Sequence, residues 1–599
     1  MPTSASKKIT ALPLDPYQTI REGLALLIKK SITEAFDTKI VVDPSLIAPP
    51  PNPELGDLAL GCFSFAKILG KAPNIIAHDI AHAATKLING KESSIVTIIT
   101  ADGPYVNFKL NSQGLAALVL TSAGEKKYGE SMIGQHKPIV LEYVSPNTNK
   151  PLHLGHVRNG LLGVSLAHLL ESTGYKVKKT MLVNDRGIHI CKSMVAYQRM
   201  EKDNSHAVTP ETEDKKGDHL VGEYYVAFET IFQKDETILD EAQACLRKWE
   251  EGDKQTKALW KKMNSWVLKG HAQTFKTLGL AFDKTYLESA IYTEGRDLIM
   301  KGLKKGTVQK DETGAVYADL TAQNLPNKIL LRQDGTALYI TQDLYLVALK
   351  QKDFHPVKSI YVIGSEQDLY LKQLFTVAGL LGVAKPESLY HLSYGMVNLT
   401  EGRMKSREGT VVDADDLLAE LTILVKEEIT SREERLSEKT LEQRAHVIAS
   451  AALKYYFLDV GPKSPITYNP KESIAFQGRT GPYLLYTYAR LRSIIKKSGT
   501  TPKWTKSLAS YDWEAERALV LVLATFPTIV RAAAAEYNPS LVAKYLYELA
   551  KIASTLYHEL PILKASPTER TARLLLMADT AEVLKKGLSL LSIDTLETM

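Results

Sequence analysis

The chain has 599 residues, 44% of them hydrophobic, which is enough for several buried cores and for about three to five domains. Its 74 basic and 68 acidic residues leave a net charge of only +6, which allows a polyanionic partner without requiring one. Cys62, Cys191 and Cys245 show no CxxC spacing, so neither a disulfide framework nor a zinc site is expected. These features indicate a globular protein of the reducing cytoplasm.

A membrane segment is not expected either. The N-terminal residues contain no continuous apolar stretch of the kind that a signal peptide needs. The longest apolar run, residues 518–530, is closed by Arg517 and Arg531 and contains Pro527. It is shorter than the ~20 residues that a spanning helix requires.

Residues 1–130 predict a small N-terminal α/β domain. Apolar residues recur at helical spacing over 16–36, which predicts an amphipathic helix. The proline-rich segment APPPNPELGD follows as a loop. Further on, SIVTIITADGPYVNFKL alternates as two strands around a turn at 102–104.

Residues 131–416 predict a Rossmann-like parallel-sheet domain. The buried-strand pattern IVLEYV, residues 139–144, leads into a long helical segment and a second strand at 179–183. Such strand–helix–strand units form parallel sheets that bind ligands at the carboxyl ends of their strands. Similar units are predicted at KILLRQDGTALYITQDLYLVALK and SIYVIGSEQDLYLKQLFTVAGLLG, so we expect an insertion at about 197–305. The rest predicts a helical connection over 417–470 and an all-helical domain over 471–599.

The most specific motif is SPNTNKPLHLGHVRNG, residues 145–160, which follows a predicted strand and opens a helix. A helix N-terminus offers unpaired N–H groups and a positive dipole end, so it stabilises phosphate charge. His153 and His156 share the first turn and can donate hydrogen bonds to phosphate oxygens. Gly155 lets a flat base approach the backbone. An isolated HxGH is more often accidental, and the strand-to-helix position is what favours a nucleotide site.

The motif and its position resemble the HIGH signature of the class I aminoacyl-tRNA synthetases, which contacts ATP. A second motif is then expected late in the sheet, and EGRMKSREGTVVDADDL, residues 401–417, fits as a basic loop that closes on phosphate charge. Alone it would be a solvated charged turn. It resembles a degenerate KMSKS loop, as is common in arginyl enzymes, which often carry a lysine upstream of HIGH. The resemblance implies that these cations stabilise departing pyrophosphate: Lys150, Arg403, Lys405 and Arg407. It implies that ATP contacts His153, Gly155, His156, Met404, Lys405 and Ser406.

Charge complementarity indicates which amino acid the predicted site would bind. A guanidinium substrate needs carboxylates and planar acceptors in a preorganised pocket. The chain matches the pattern E-x-x-x-x-N…Y-x-x-x-D…Q of arginyl-tRNA synthetases. That resemblance implies guanidinium contacts from Glu142, Tyr339 and Asp343, contacts to the α-amino end from Asn147 and Gln367, and Ser145 in the same arginine-binding set. Singly, Glu142 could pair locally and Asp343 could cap a helix. The segment 184–187 resembles a VND-x-G motif of the family and is given a supporting role.

A tRNA surface is expected in the helical domain. Residues 473–511 contain seven basic residues, no acidic one, and interleaved aromatic rings that can stack on unpaired bases. The segment FQGRTGPYLLYTYARLRSI resembles the start of the anticodon-binding domain of arginyl enzymes, and PNPELGDLALGCFSFAK resembles their N-terminal domain. The candidate tRNA-binding residues are Arg479, Tyr483, Tyr488, Arg490 and Lys496, with Tyr486 and Trp504 among the stacking candidates. The same rings could instead pack between helices.

Together the resemblances imply an enzyme that activates L-arginine with ATP and Mg²⁺ and transfers it to the terminal ribose of tRNA(Arg), releasing AMP and pyrophosphate. They imply a monomer without protein-bound zinc, DNA or membrane partners. One alternative is another class I synthetase, although Glu142 and Asp343 argue against a glutamyl enzyme. The other is a catalytically silent synthetase-like protein that only binds tRNA, against which the intact His153 and His156 argue.

Overall fold

The structure is a computed structural model that describes residues 15–89, 95–202, 208–399, 412–431, 436–500 and 502–599. The N-terminal domain consists of α1 (Pro16–Phe36), β1 (Ile47–Ala48), β2 (Leu58–Gly61), α2 (Phe63–Leu69), α3 (Pro73–Ile88), β3 (Val96–Asp102), β4 (Tyr105–Leu110) and α4 (Ser112–Leu120). Its four strands form an antiparallel sheet of order β1-β2-β4-β3. The predicted opening helix and the predicted strand pair around 102–104 are both confirmed. Helix α1 begins after Asp15, whose carboxylate accepts the N–H of Gln18 as an N-cap.

The central domain is built on a five-stranded parallel sheet. Its elements are β5 (Pro138–Glu142), α5 (Leu154–Ser172), β6 (Lys176–Val183), α6 (Ile188–Met200), α7 (Gly217–Phe232), α8 (Ile238–Glu251), α9 (Lys254–Leu278), β7 (Lys284–Leu287), α10 (Glu288–Ile291), α11 (Arg296–Lys304), β8 (Gln309–Lys310), β9 (Val316–Ala318), β10 (Lys328–Leu331), α12 (Tyr339–Phe354), β11 (Lys358–Gly364), α13 (Asp368–Leu380), β12 (Leu389–Tyr394) and β13 (Val397–Leu399). The order β12-β11-β5-β6-β7 places β5 at the centre. The chain adds strands on one side of β5 and then on the other, so the switch point for ligand binding lies between β5 and β11.

Two sequence predictions for this domain are wrong. Strand β7 lies within the predicted insertion of 197–305 and pairs in parallel with β6, so the inserted helices end before Lys284. The predicted strand KILL, which is β10, does not join the parallel sheet but pairs antiparallel with β9 in a separate three-stranded sheet. Both strands have only four residues, and so short an apolar pattern does not reveal which sheet a strand joins.

The C-terminal part is helical, as predicted. It consists of α14 (Ala414–Ser431), α15 (Glu438–Leu458), β14 (Ile466–Tyr468), α16 (Pro470–Ser473), α17 (Gly481–Ser498), α18 (Arg517–Ala535), α19 (Ser540–Glu559) and α20 (Pro567–Leu590). Among the described residues, α18 alone is long and apolar enough to cross a membrane. It continues through Pro527 rather than ending there, and it packs against α1, α4, α5 and α19 with buried residues such as Leu523 and Phe526. These contacts are those of a core helix.

Helix α5 holds the domains together. It packs on the parallel sheet and also on α15, α18 and α20, and fourteen of its residues are buried. Gly163 permits the close approach to the sheet, because a Cβ there would lie 2.3 Å from Cγ of Tyr143. The N-terminus of this buried helix opens at the switch point and carries the HLGH motif.

Candidate active site

His153 and His156 form the cap of α5. Nδ1 of His156 accepts the backbone N–H of His153 at 3.1 Å, and Nδ1 of His153 accepts the N–H of Gly155 at 3.1 Å. The two ring centroids lie 3.9 Å apart. Because each Nδ1 is an acceptor, each neutral ring carries its proton on Nε2, which leaves an N–H donor for a ligand.

Both rings are neutral at pH 7. Burial, reinforced by the nearby charge of Lys150, lowers the pKa of His153 to about 4. Burial also lowers the pKa of His156 well below its usual value, and His153, His271 and Lys150 add to the effect. The histidines therefore offer hydrogen bonds without formal charge. The positive charge near the two rings comes from Lys150 and from the dipole end of α5.

Gly155 is also required by its neighbour. A Cβ at this position would lie 3.0 Å from Cε1 and 3.2 Å from Nδ1 of His153. We expect Gly155→Ala to displace the His153 ring and to raise the KM for ATP by about tenfold, because a shifted donor loses ~1.4 kcal/mol of stabilisation. Steady-state kinetics of ATP–pyrophosphate exchange measures this KM.

Gly23→Ala is the matched control, since a Cβ on this α1 glycine would meet nothing within 4 Å. It should leave the KM for ATP unchanged and raise the melting temperature slightly, because alanine is the better helix former. A KM for Gly155→Ala equal to that of the unchanged protein would show that the His153 position does not matter for ATP.

The turn between β5 and the HLGH motif is held by an amide. Val144 and Ser145 have positive φ angles of 74° and 45°, a conformation that is unusual for a β-branched residue. Asn159 of α5 accepts the Val144 N–H at 2.6 Å and donates to the carbonyl of Val362 in β11 at 2.8 Å. The Asn159 amide thereby ties the strained turn after β5 to β11, the strand on the other side of the switch point.

Arg158, beside it, is fully buried. Its guanidinium donates to the carbonyls of Gly395, Pro462 (3.0 Å) and Ser464 (2.7 Å). It therefore links α5 to the segment after β12 and to the loop after α15. The sequence reasoning missed Arg158 and Asn159, although an arginine and an asparagine inside a helix buried on nearly every side were the available signal.

The basic-loop residues Arg403, Met404, Lys405, Ser406 and Arg407 lie outside the described residues. The chain directly after them is anchored on the HLGH motif. Asp413 forms an antiparallel bridge with His153, the N–H of Leu154 donates to Val412 (3.3 Å), and the N–H of Ala414 donates to Leu152 (2.9 Å). The described end of the second motif, residues 412–414, therefore contacts the HLGH motif about 250 residues earlier in the sequence.

The inserted helices contact this anchor through an ion-pair network. Lys216, directly before α7, pairs with Asp415, and with Asp218 at 3.1 Å. His219 lies 3.2 Å from Asp415. Asp218, His219 and Asp415 have the donor types of a metal site, but the Lys216 ammonium already pairs with both carboxylates, so the cluster is an ion-pair network. In α9, His271 lies 3.0 Å from the carbonyl oxygen of Lys150, which fixes the backbone just before HLGH.

An acidic pocket lies on the face of the sheet covered by α12. Glu142 ends β5 and is buried, and Asp343 lies one turn into α12. The Tyr370 hydroxyl of α13 donates to Asp343. Burial raises the pKa of Asp343 to about 6, against the lowering effect of that hydrogen bond. The N-cap of α12 is Leu338, so the predicted alternative that Asp343 caps this helix is wrong.

The other predicted arginine-binding residues lie at the ends of the same elements. Tyr339 begins α12 and is 78% exposed. Gln367 precedes α13 and is exposed, as is Asn147 after β5, while Ser145 is half-buried. Glu142 has an ion-pair partner within the protein, as the structural alternative expected, but the partner is on another element rather than local: its Oε2 lies 2.5 Å from Nζ of Lys350 in α12. Sequence reasoning missed Lys350, which lies seven residues after Asp343 and therefore on the same helix face.

The segment 184–187 supports the site. Asn184 forms a parallel bridge with Asn147. Asp185 accepts the N–H of Ser289 at 2.8 Å and its hydroxyl at 2.6 Å, which links β6 to α10. The Arg186 guanidinium lies 3.9 Å from the centroid of the Tyr292 ring, and Gly187 has a φ of +103° at the start of α6.

In the helical domain, three of the predicted tRNA-binding residues remain accessible. Tyr483 and Arg490 line a cleft of about 630 Å³, and Lys496 is exposed. Arg479 is exposed but pairs with Asp459 at 2.6 Å.

The prediction that Tyr488 stacks on a base is wrong. Its ring is fully buried on the inner face of α17, and its hydroxyl donates to Glu597 at 2.7 Å. Trp504 also stacks within the protein, with its ring 6.0 Å from that of Trp513. The helix-packing alternative therefore holds for Tyr488, and Trp504 packs against another ring outside the helices.

A parallel sheet that carries an HxGH helix cap at its switch point, with the end of a basic loop bonded to that cap, defines the catalytic domain of a class I aminoacyl-tRNA synthetase. Three family models match the chain: "tRNA synthetases class I (R), catalytic domain" over residues 118–461, "DALR anticodon binding domain" over 484–599, and "Arginyl tRNA synthetase N terminal domain" over 22–110.

Individual relatives agree with the family models. The arginine–tRNA ligase of Treponema denticola is 42% identical over 94% of this chain and 96% of its own length, and that of Bacteroides fragilis (strain YCH46) is 41% identical over 91% and 94%. The solved structure of Thermus thermophilus arginyl-tRNA synthetase superposes with a TM-score of 0.77 at 25% identity, covering 97% of this chain and 100% of that one. The chain belongs to the arginyl-tRNA synthetase family.

Proposed function

We propose that the chain activates L-arginine at the switch point between β5 and β11 and esterifies it to the terminal ribose of tRNA(Arg). As an arginyl-tRNA synthetase it is a class I ligase whose substrates are ATP, arginine and tRNA. The observation that carries the residue assignments is the position of Glu142 and Asp343. The buried Glu142 ends the strand that leads into a helix cap suited to phosphate, and the half-buried Asp343 lies near enough to Glu142 for that carboxylate to raise its pKa, so a cationic side chain and a nucleotide can be held together.

The acidic pocket would hold the guanidinium. Asp343, kept in place by Tyr370, and Glu142 at the end of β5 supply the negative charge, and Tyr339 at the start of α12 supplies a ring and a hydroxyl. We assign the α-amino end of arginine to Asn147 and Gln367, with Ser145 in the turn between them and the pocket. The side chains come from four elements, so the pocket is preorganised by the fold.

The nucleotide would bind at the N-terminus of α5. Nε2–H groups of His153 and His156 donate to phosphate oxygens, and Gly155 allows the base to approach the backbone. We assign charge compensation on pyrophosphate to Lys150, Arg403, Lys405 and Arg407, and further ATP contacts to Met404 and Ser406. Mg²⁺ enters with ATP as part of the substrate, held chiefly by the phosphate oxygens.

Activation is then an in-line displacement. The arginine carboxylate attacks the α-phosphorus, the bond to the bridging oxygen breaks, and pyrophosphate leaves with its charge neutralised by the cations. The 2′-hydroxyl of the terminal ribose next attacks the arginyl carbonyl, and AMP leaves. Positioning and electrostatics account for both steps, so no covalent enzyme intermediate is required.

We propose that tRNA contacts the cleft beside α17. Tyr486 lines this cleft, and the Arg490 guanidinium lies 4.5 Å from the Tyr486 ring centroid, so an aromatic face and a cation are presented together.

Tyr486→Ala should raise the KM for tRNA by about tenfold in aminoacylation, since stacking of one base contributes ~1–3 kcal/mol. The matched control is Tyr488→Phe, which changes a buried tyrosine two residues away and should leave this KM unchanged. Equal KM values for tRNA in the two variants would exclude the cleft as a tRNA-binding surface.

The proposed function also assigns a role to each domain. We propose an N-terminal tRNA-contacting domain over 1–130, a catalytic domain over 131–416, a helical connection over 417–470, and an anticodon-binding domain over 471–599. We further propose that the protein is a cytoplasmic monomer, in keeping with its role in translation.

Aminoacylation of unfractionated tRNA tests the proposed function. The purified full-length chain is supplied with MgATP and each of the twenty labelled amino acids in turn. Arginine alone should become acid-precipitable on tRNA. Charging with a different amino acid would identify another class I activity, and the absence of any charging by a folded, tRNA-binding chain would identify a silent homologue.

A further inference from the structure

A lysine lies inside the proposed guanidinium pocket. Lys350 is fully buried in α12, two turns after Asp343 on the same helix face. Its Nζ lies 2.5 Å from Oε2 of Glu142 and 4.2 Å from the ring centroid of Tyr361. Tyr361 is the cross-strand neighbour of Glu142 on β11 and is itself buried. A cation thus occupies the floor of a pocket proposed to receive a cation.

A buried ammonium is costly, and a hydrophobic residue of similar length would fill the same space without that cost. The pocket holds two carboxylates, so without the lysine it would carry two negative charges against the single positive charge of a guanidinium. With Lys350 it carries one excess negative charge. The contact uses Oε2 of Glu142, which leaves Oε1 as the oxygen that can face a ligand.

We propose that Lys350 is a positioning and specificity-determining residue for arginine. It holds the Glu142 carboxylate in one orientation and sets the pocket to one excess negative charge, equal and opposite to the charge of one guanidinium. This inference rests on the proposed function, in which Glu142 and Asp343 face the substrate side chain.

The effect of Lys350 can be measured through the pH at which Asp343 ionises. The pKa of Asp343 is raised to about 6, chiefly by burial and also by Glu142, against the lowering effects of the Tyr370 hydrogen bond and of Lys350. A guanidinium needs the ionised carboxylate, so arginine binding should weaken as the pH falls through about 6. Removing Lys350 should raise this pKa and move the weakening to higher pH. Other titratable groups around the pocket come from every neighbouring element: Glu142 of β5, Tyr361 of β11, Tyr370 of α13, Tyr286 of β7 and Glu288 of α10.

The test measures the KM for arginine in ATP–pyrophosphate exchange with tRNA present, from about pH 5.5 to about 8.5. Lys350→Met should raise this KM by about tenfold at pH 7 and shift its pH profile upward by about one unit, with the KM for ATP unchanged. Lys350→Arg, which keeps the charge, should retain the original profile. Lys352→Met is the matched control, because Lys352 is exposed on the same helix. An unshifted profile for Lys350→Met would overturn the inference.

A double variant keeps the test decisive if Lys350→Met does not fold. Glu142→Gln with Lys350→Met removes both members of the buried ion pair, so neither is left unpaired, and the double variant should fold. Glu142→Gln alone leaves Asp343 and Lys350 with no excess charge, whereas the double variant again carries one excess negative charge, so adding Lys350→Met to Glu142→Gln should not raise the KM for arginine. A further tenfold loss would overturn the inference. Asp343→Asn distinguishes a failure of this inference from a failure of the proposed function. If Asp343→Asn leaves the KM for arginine unchanged, the proposed pocket itself is wrong, whatever the Lys350 variants show.

Discussion

His156→Ala should slow arginine-dependent ATP–pyrophosphate exchange by about 10²–10³-fold in kcat/KM, a loss of ~3–4 kcal/mol of transition-state stabilisation. The substitution removes the Nε2–H donor at the N-terminus of α5, where phosphate charge develops. It also removes the Nδ1 acceptor that caps the N–H of His153, which should cost about 1 kcal/mol of folding stability. The kinetic effect should therefore far exceed the effect on stability.

His168→Ala provides the comparison. His168 lies on the same helix, far from its N-terminus, and its pKa is lowered by burial as those of the motif histidines are. The variant should melt at lower temperature and yet retain its kcat/KM. If the two variants lost activity in proportion to their melting temperatures, His156 would have a structural role only.

Asp343→Asn should raise the KM for arginine by about 10²-fold, because removing a half-buried charge that pairs with a desolvated cation costs ~3 kcal/mol. Asparagine keeps the shape and can still accept from Tyr370, so the loss isolates the charge. The same variant should abolish the weakening of arginine binding near pH 6, since an amide does not titrate. Measurement of the KM for arginine at several pH values gives both results.

Asp353→Asn is the control on the same helix. Asp353 pairs with Lys284 at 2.6 Å at the other end of α12. This variant should keep the arginine KM and its pH profile. A pH profile that persisted in Asp343→Asn would assign the titration to another group and would remove Asp343 from the pocket.

The sequence predicted what depends on local periodicity and on one motif in context. Helix α1 and the strand pair β3 and β4 follow their apolar spacing, and HLGH lies at a helix N-terminus as expected. The residues of β7 were assigned to the insertion and β10 to the parallel sheet, because strands of four residues with only two or three apolar ones do not reveal a pairing partner. The pairing is decided by long-range packing, which a local pattern does not contain.

The polar network of the site was the least predictable part. Tyr488 was expected to be exposed, but only the packing of α17 against α20 decides which of its tyrosines are buried. Arg158 and Lys350 were overlooked because a single charged residue in a helix is usually solvated. The partners of Arg158 lie hundreds of residues away in the sequence, and the partner of Lys350 lies on another element. The burial of both side chains therefore follows only from the three-dimensional structure.

The most direct test of the acidic pocket compares arginine with citrulline, its neutral near-isostere, in ATP–pyrophosphate exchange with tRNA present. If Glu142 and Asp343 recognise the guanidinium charge, arginine should exceed citrulline by about 10²–10³-fold in kcat/KM, because citrulline leaves a buried carboxylate unpaired. Comparable exchange with the two amino acids would contradict recognition of arginine by this pocket.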